Sequence, residues 1–193
     1  MPAPVADPHV LGHCVAIAVA HDDFDSEALI DIGQKVGFGA VTDFSHFAGN
    51  DWHAHPLLFF LVHYGIGTAA KLALLDKVRH ASSVNICFAP VVLFLQDGLG
   101  EQVLEYVGMG FDDVIILPED SLVLGTRLAT QIGQEHLYVE TRTYIGPDRR
   151  RMEPKGHTHP ERTGQHDYTS LTVLRSPEQG VQILRRQIVP RTR

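Results

Sequence analysis

The side chains best equipped for chemistry fall into three clusters. Arg149, Arg150 and Arg151 follow Asp148 in an unbroken run of charge. Guanidinium groups form paired bonds to phosphates and stack on flat bases, so this run suits an anionic nucleotide; it also suits a solvated segment that contacts acidic parts of the same chain. Histidines gather at His53 and His55 near His46, and at His157 and His159 near His166. Histidine is a good ligand for zinc or nickel, but structural zinc sites usually combine fixed spacings with thiolates, and Cys14 and Cys87 lie elsewhere, so no metal site is expected. Asp22, Asp23 and Asp25 form the third cluster, directly after an apolar run, where acidic residues favour the start of a helix. The phosphate-loop, dinucleotide-fingerprint and nucleophile-elbow patterns are missing, and no enzymatic activity is expected.

A repeating scaffold has to position these groups, and residues 88–119 supply its clearest unit. The apolar runs 90–95 and 114–117 are short and β-branched, as strands buried on both faces are. Between them Leu99, Val103 and Val107 recur every four residues opposite Glu101 and Glu105, and Gly108 and Gly110 close the helix. The same alternation runs back toward the N-terminus. A strand over 14–20 leads to a helix over 26–36 with Leu29, Ile32 and Val36 on one stripe and Gly37 as its stop. A strand over 39–44 follows, then a segment, 45–55, too polar and short for more than an irregular helix. The strand at 57–62 precedes a helix over 68–80, whose Ala69, Leu72, Ala73 and Val78 are expected to face the sheet while Lys71, Asp76, Lys77 and Arg79 face water. After Pro118 a last helix carries Leu124, Leu128 and Ile132. Five such units predict an α/β domain over 13–133, a doubly wound five-stranded parallel sheet.

Residues 134–193 read as a basic extension, largely irregular and partly disordered. Residues 136–144 alternate like an edge strand or an extended linker, 145–167 are rich in Pro, Gly and charge with no apolar face, 168–174 suit a late strand and 178–188 a short basic helix. Residues 1–10, with three prolines, are expected to be a frayed lead-in. Charge divides the chain: from Thr141 onward eleven Lys/Arg and five Asp/Glu give +6, which leaves −13 on the preceding residues of a chain of net charge −7. Such a tail meets an anion or folds back on its own acidic body. At 44% hydrophobic and 20% charged, without a membrane-length apolar run or a secretory leader, the chain reads as a cytoplasmic globular protein with free thiols, binding neither membrane nor DNA.

The 88–119 unit has Pro90-Val91 before an apolar strand, a helix closed by glycine, the acidic pair Asp112-Asp113 and a strand ending on Pro118. In this it resembles the last half of a two-component receiver domain, of flavodoxin-like fold, and the resemblance extends over about 13–133. It implies an aspartate at the end of the third strand that accepts phosphate, acids after the first strand that hold magnesium, a Thr or Ser ending the fourth strand, and a Lys before the proline after the fifth. The corresponding positions here hold Val62 (or His63, one residue on), Asp22 and Asp23, Leu95 (or Gln96), and Leu117. Magnesium at Asp22 and Asp23 is what the resemblance implies; the alternative is that these acids only start a helix and no cofactor is bound. Val62 cannot accept phosphate, Leu95 cannot donate a side-chain hydrogen bond and Leu117 cannot pair with an anion. The resemblance therefore implies a degenerate pseudo-receiver of bacterial two-component signalling, a protein-interaction module for a histidine kinase, a motor protein or another receiver. Some receiver-like proteins with arginine-rich segments bind cyclic di-GMP, and Asp148 to Arg151 is similar to these in composition, which gives the alternative of a nucleotide sensor.

Overall fold

Uninterrupted apolar runs build the centre of the molecule. The computed structural model describes residues 7–47, 57–99, 102–148 and 167–190. Strands β1 (Val15–Val19), β2 (Ala40–Asp43), β3 (Leu58–His63), β4 (Val91–Gln96) and β5 (Asp113–Leu117) pair in parallel in the order β2-β1-β3-β4-β5, the flavodoxin-like order. The helices are α1 (Asp23–Lys35), α2 (Phe44–Phe47), α3 (Thr68–Arg79), α4 (Val84–Cys87), α5 (Val103–Met109) and α6 (Ser121–Ala129). Pleating sends alternate strand residues to opposite faces. Ala16, Ala18, Phe59, Leu61 and Phe94 pack with Leu29 of α1 and Leu124 and Leu128 of α6. Ile17, Phe60, Val62 and Leu93 pack on the other side with Leu74, Leu75 and Val78 of α3 and Tyr106 of α5. The sheet is thus doubly wound, as the alternation of apolar runs predicts.

Helix α3 buries Leu74, Leu75 and the expected Val78 and leaves Asp76 and Lys77 in water as expected, but Ala69, Leu72 and Ala73 lie on its exposed side, and Lys71 and Arg79 turn inward. Lys71 and Arg79 are each only 3% exposed, whereas Leu72 is 48% exposed. The Lys71 ammonium donates to the carbonyls of Tyr64 (2.7 Å) and Ile66, in the loop after β3, and Arg79 donates to those of Cys87 (2.8 Å) and Ala89 (3.0 Å). Loop carbonyls have no ladder partner, so a long cationic side chain that reaches them from a helix is drawn inward, stem and all.

The C-terminal extension differs more. Strands β6 (Glu135–Glu140), β7 (Ile145–Pro147), β8 (Tyr168–Ser176) and β9 (Gly180–Val189) form an antiparallel sheet in the order β7-β6-β8-β9. The segment expected to be a basic helix at 178–188 is therefore strand β9, and the extension as described is ordered sheet rather than irregular chain. Leu184 is a bulge: Thr172 pairs with Arg185 and Val173 with Ile183. This extra residue breaks the two-residue alternation of β9 and leaves Val181, Leu184 and Ile188 at helix-like spacing. The sheet docks on the parallel domain through Tyr138, Leu171, Val173 and Val181, which join the apolar cluster of Phe88 and Phe94. The Phe88 and Tyr138 rings meet edge to face at 5.1 Å.

At the other end of the chain, Pro8–His13 form a 3-10 helix with Leu11 fully buried, so residues 8–10 are tied down rather than frayed. Helix α6 seats on this 3-10 helix. Gly125 sits at this contact, where a Cβ would lie 3.4 Å from Pro8 Cβ and 3.5 Å from the Val36 carbonyl oxygen, at ordinary van der Waals distance.

Candidate functional site

The carboxyl ends of the parallel strands gather the residues that the receiver resemblance singled out. Asp22 is the N-cap of α1, its side chain accepting the Asp25 N–H at 2.9 Å, and Asp23 is the exposed first residue of the helix. Asp25, in the first turn, reaches His63 at the end of β3, with Oδ2 2.8 Å from Nδ1. This contact orients the ring, and the Gly65 N–H also points at Nδ1, at 3.3 Å. Gly65 is confined by this pair: a Cβ there would come 3.0 Å from His63 Nδ1 and 3.2 Å from Asp25 Oδ2.

Burial separates the residues in each one-residue choice of register. Val62 is fully buried and Leu95 1% exposed, both inside the apolar layer under α3 and α5, whereas His63 and Gln96 end their strands. The Tyr64 hydroxyl donates to Gln96 Oε1 at 2.7 Å. Leu117 ends β5 opposite Gln96 and is joined to Pro118 by a cis peptide. The ends of β3, β4 and β5 therefore carry an imidazole, an amide and an isobutyl group. Between α1 and α6, above these strands, lies a cleft of about 460 Å³ with Ile32, Val36, Phe94, Leu117 and Leu124 on its floor and walls and His63, Gln96 and Glu119 also lining it.

A second polar cluster, at the opposite end of the sheet where β4 and β5 begin, was not foreseen. The Asp112 carboxylate receives Arg79 NH2 (2.5 Å) and the Val91 N–H (2.8 Å) on Oδ2, and Arg175 NH2 (2.8 Å) and the Tyr138 hydroxyl on Oδ1. Arg175, which is 0% exposed, also donates to the Phe88 carbonyl (2.9 Å) and Gln131 Oε1 (2.7 Å). Burial by itself would push the Asp112 carboxyl up; the two guanidiniums, the Tyr138 hydroxyl and the Val91 N–H outweigh it and hold the group down at about 2. Burial, as the largest cause, raises the Tyr138 hydroxyl. The sequence signal for this cluster was only the acidic pair before β5, since Arg79 and Arg175 stand 33 and 63 residues from Asp112. It clamps the two sheets together and has the character of a structural network.

Arg149, Arg150, Arg151, His53, His55, His157, His159 and His166 lie outside the described residues. The backbone N–H of Asp148 donates to the Leu137 carbonyl at 2.8 Å. Among the described residues, no three His, Cys, Asp or Glu side chains converge as a metal site would require. No described helix is long and apolar enough to cross a membrane.

No protein-family model matches the chain, and no curated protein does. Among solved structures, full-length FixJ from B. japonicum is similar over 60% of this chain and 56% of its own, at 17% identity and a TM-score of 0.43. The chain thus spans little more than half the length of that protein. The fold assignment rests on the strand order and register described above.

Proposed function

We propose that the chain is a receiver-like module of two-component signalling that acts by binding another protein without being phosphorylated, in the cytoplasm. The observation that carries this reading is the chemistry of the strand ends. An aspartyl-phosphate switch needs a nucleophilic carboxylate, a hydroxyl and an ammonium there; β3 ends on His63 after the buried Val62, β4 on Gln96 after the buried Leu95 and β5 on Leu117, so neither choice of register supplies that set. With that chemistry gone, the surface is what remains to act. Leu104 of α5, Ile116 of β5 and Leu122 and Val123 of α6 are 63%, 37%, 67% and 52% exposed. These lie on consecutive elements, with β5 the edge strand of the parallel sheet among the described residues, and exposed apolar groups on neighbouring elements suit a docking surface. A histidine kinase, a motor protein or another receiver is the partner this reading calls for.

Acetyl phosphate with magnesium should leave the intact mass unchanged. Val62→Asp should remain unphosphorylated and lose stability, since it buries an unpaired carboxylate. A mass gain of one phosphate at Asp22, Asp23 or His63 would sink the reading. Binding to purified histidine kinases of the source cell should be abolished by Leu122→Glu and unaffected by Leu72→Glu on α3.

A further inference from the structure

Strand β9 is the last strand of the antiparallel sheet, and among the described residues no other strand lies on its far side. From Ile183 to Ile188 every residue is exposed. Which of its backbone groups are free follows from two hydrogen bonds. The Val181 N–H donates to Asn85 Oδ1 of α4 at 2.9 Å, and the Arg175 carbonyl accepts the Gly133 N–H at 2.9 Å, so these paired residues turn their backbones away from each other. In an antiparallel ladder such pairs recur at every second residue, here at Val173, Leu171 and Thr169 of β8. Their partners Ile183, Arg186 and Ile188 therefore aim N–H and C=O outward, away from the sheet.

Side chains select what can pair there. Ile183 and Ile188 share a face with Arg186 and are 40% and 71% exposed, so an added strand would cover apolar surface as well as bond to the backbone. Strand β9 contains Arg185 and Arg186 and no carboxylate. Glu140 answers Arg186 at 2.6 Å, which leaves the edge the charge of the exposed Arg185. Glu178, in the turn before β9, lies beyond the end that Asn85 caps. A bulge and like charges keep an edge from pairing with its own copy. They do not refuse a strand of opposite sign, since opposite charges across a ladder attract.

We propose that β9 accepts an extended acidic segment of a partner protein as a further strand of the antiparallel sheet. The segment's backbone bonds to Ile183, Arg186 and Ile188, its carboxylates lie beside Arg185 and Arg186, and its apolar residues cover Ile183 and Ile188. A second copy of β9 is disfavoured by its arginines. None of these residues belongs to the face of α5, β5 and α6, and the inference does not depend on that face.

The test is a two-dimensional amide NMR titration of the full chain with the peptide acetyl-Ser-Val-Thr-Glu-Glu-Val-Ser-amide, whose antiparallel register sets Val against Ile188 and Ile183 and Glu against the arginines. The Ile183, Arg186 and Ile188 amides should shift, and the peptide with Lys in place of both Glu should bind roughly tenfold more weakly. N-methylation of the first Glu keeps the charge and removes a strand-forming N–H, and it should abolish binding. Ile188→Pro removes an outward N–H and no bond to β8, so it should abolish binding at an unchanged melting temperature. Arg185→Glu, at an exposed position, should remove the preference for the acidic peptide. Equal binding of the acidic and basic peptides, wild-type binding by the N-methylated peptide or by Ile188→Pro, an unchanged preference in Arg185→Glu, or shifts centred away from β9 would each overturn the proposal. So would dimers of the free chain paired through β9, or the absence of any shift at about 5 mM peptide.

Discussion

Replacing Asp112 by Asn tests whether the buried cluster joins the two sheets into one cooperative structure. The side chains of Arg79, Asp112 and Arg175 are 3%, 3% and 0% exposed, so no water is at hand to take over from a missing carboxylate. Asn keeps the volume and one acceptor. Its amide group, however, must point either at Arg79 and the Val91 N–H or at Arg175 and the Tyr138 hydroxyl, and it sets donors against donors in both cases. Two guanidiniums then remain buried without a counter-charge. Removing one partner of a buried ion pair costs about 3–5 kcal/mol, and in a chain of this size each kcal/mol lowers the melting temperature by about 2–4 °C, so a loss of roughly 6–20 °C is expected. Urea denaturation followed by near-ultraviolet tyrosine dichroism and by backbone dichroism should show a single transition moved to lower urea with its slope unchanged. A loss below about 1 kcal/mol would refute the reasoning, as would an antiparallel sheet that melts separately while the parallel sheet keeps its wild-type midpoint.

Arg127→Ala removes a paired bond to Asp113 of similar geometry, but the Arg127 side chain is 45% exposed, and equilibrium denaturation should show a loss of no more than about 1 kcal/mol. Because the Asp112 carboxyl is held down at about 2 in the folded state against 3.8 ordinarily, its contribution is present above about pH 4 and is lost as pH falls toward 2. That contribution is on the order of 2 kcal/mol, and urea midpoints measured between pH 5 and pH 2 should fall more steeply for the wild type than for Asp112→Asn.

The parallel sheet was legible because strands buried on both faces must be continuously apolar: the runs at 14–20, 57–62 and 90–95 have no other use in a chain of this length. The strand-end site was legible to within one residue, and no closer, because Val62 and His63 or Leu95 and Gln96 differ in burial and not in sequence context. Strand β9 was hidden because it buries only Gly180 and Val181 and leaves most of its length exposed, so no apolar alternation marks it. The inward turn of Lys71 and Arg79 was hidden for a different reason. Which loop carbonyls need a donor is decided by the tertiary path, and a cation on a helix reads as solvated until that path is known. Likewise, nothing local distinguishes Arg175 from the exposed Arg185 and Arg186 farther along the same hairpin.

Strand β8 has a consequence for where this polypeptide can be divided. It is hydrogen-bonded on one side to β6, which precedes residues 149–166, and on the other to β9, which follows them. Pairing runs from Glu135 with Leu174 to Glu140 with Thr169, and Arg175 at the end of that register locks onto Asp112, Gln131 and the Phe88 carbonyl. These pairings join chain on the two sides of the connection, so a chain nicked between Asp148 and Asp167 keeps each of the contacts just named. The two pieces, made separately, present complementary edges, β6 on one and the β8–β9 hairpin on the other, from which the whole is expected to reassemble.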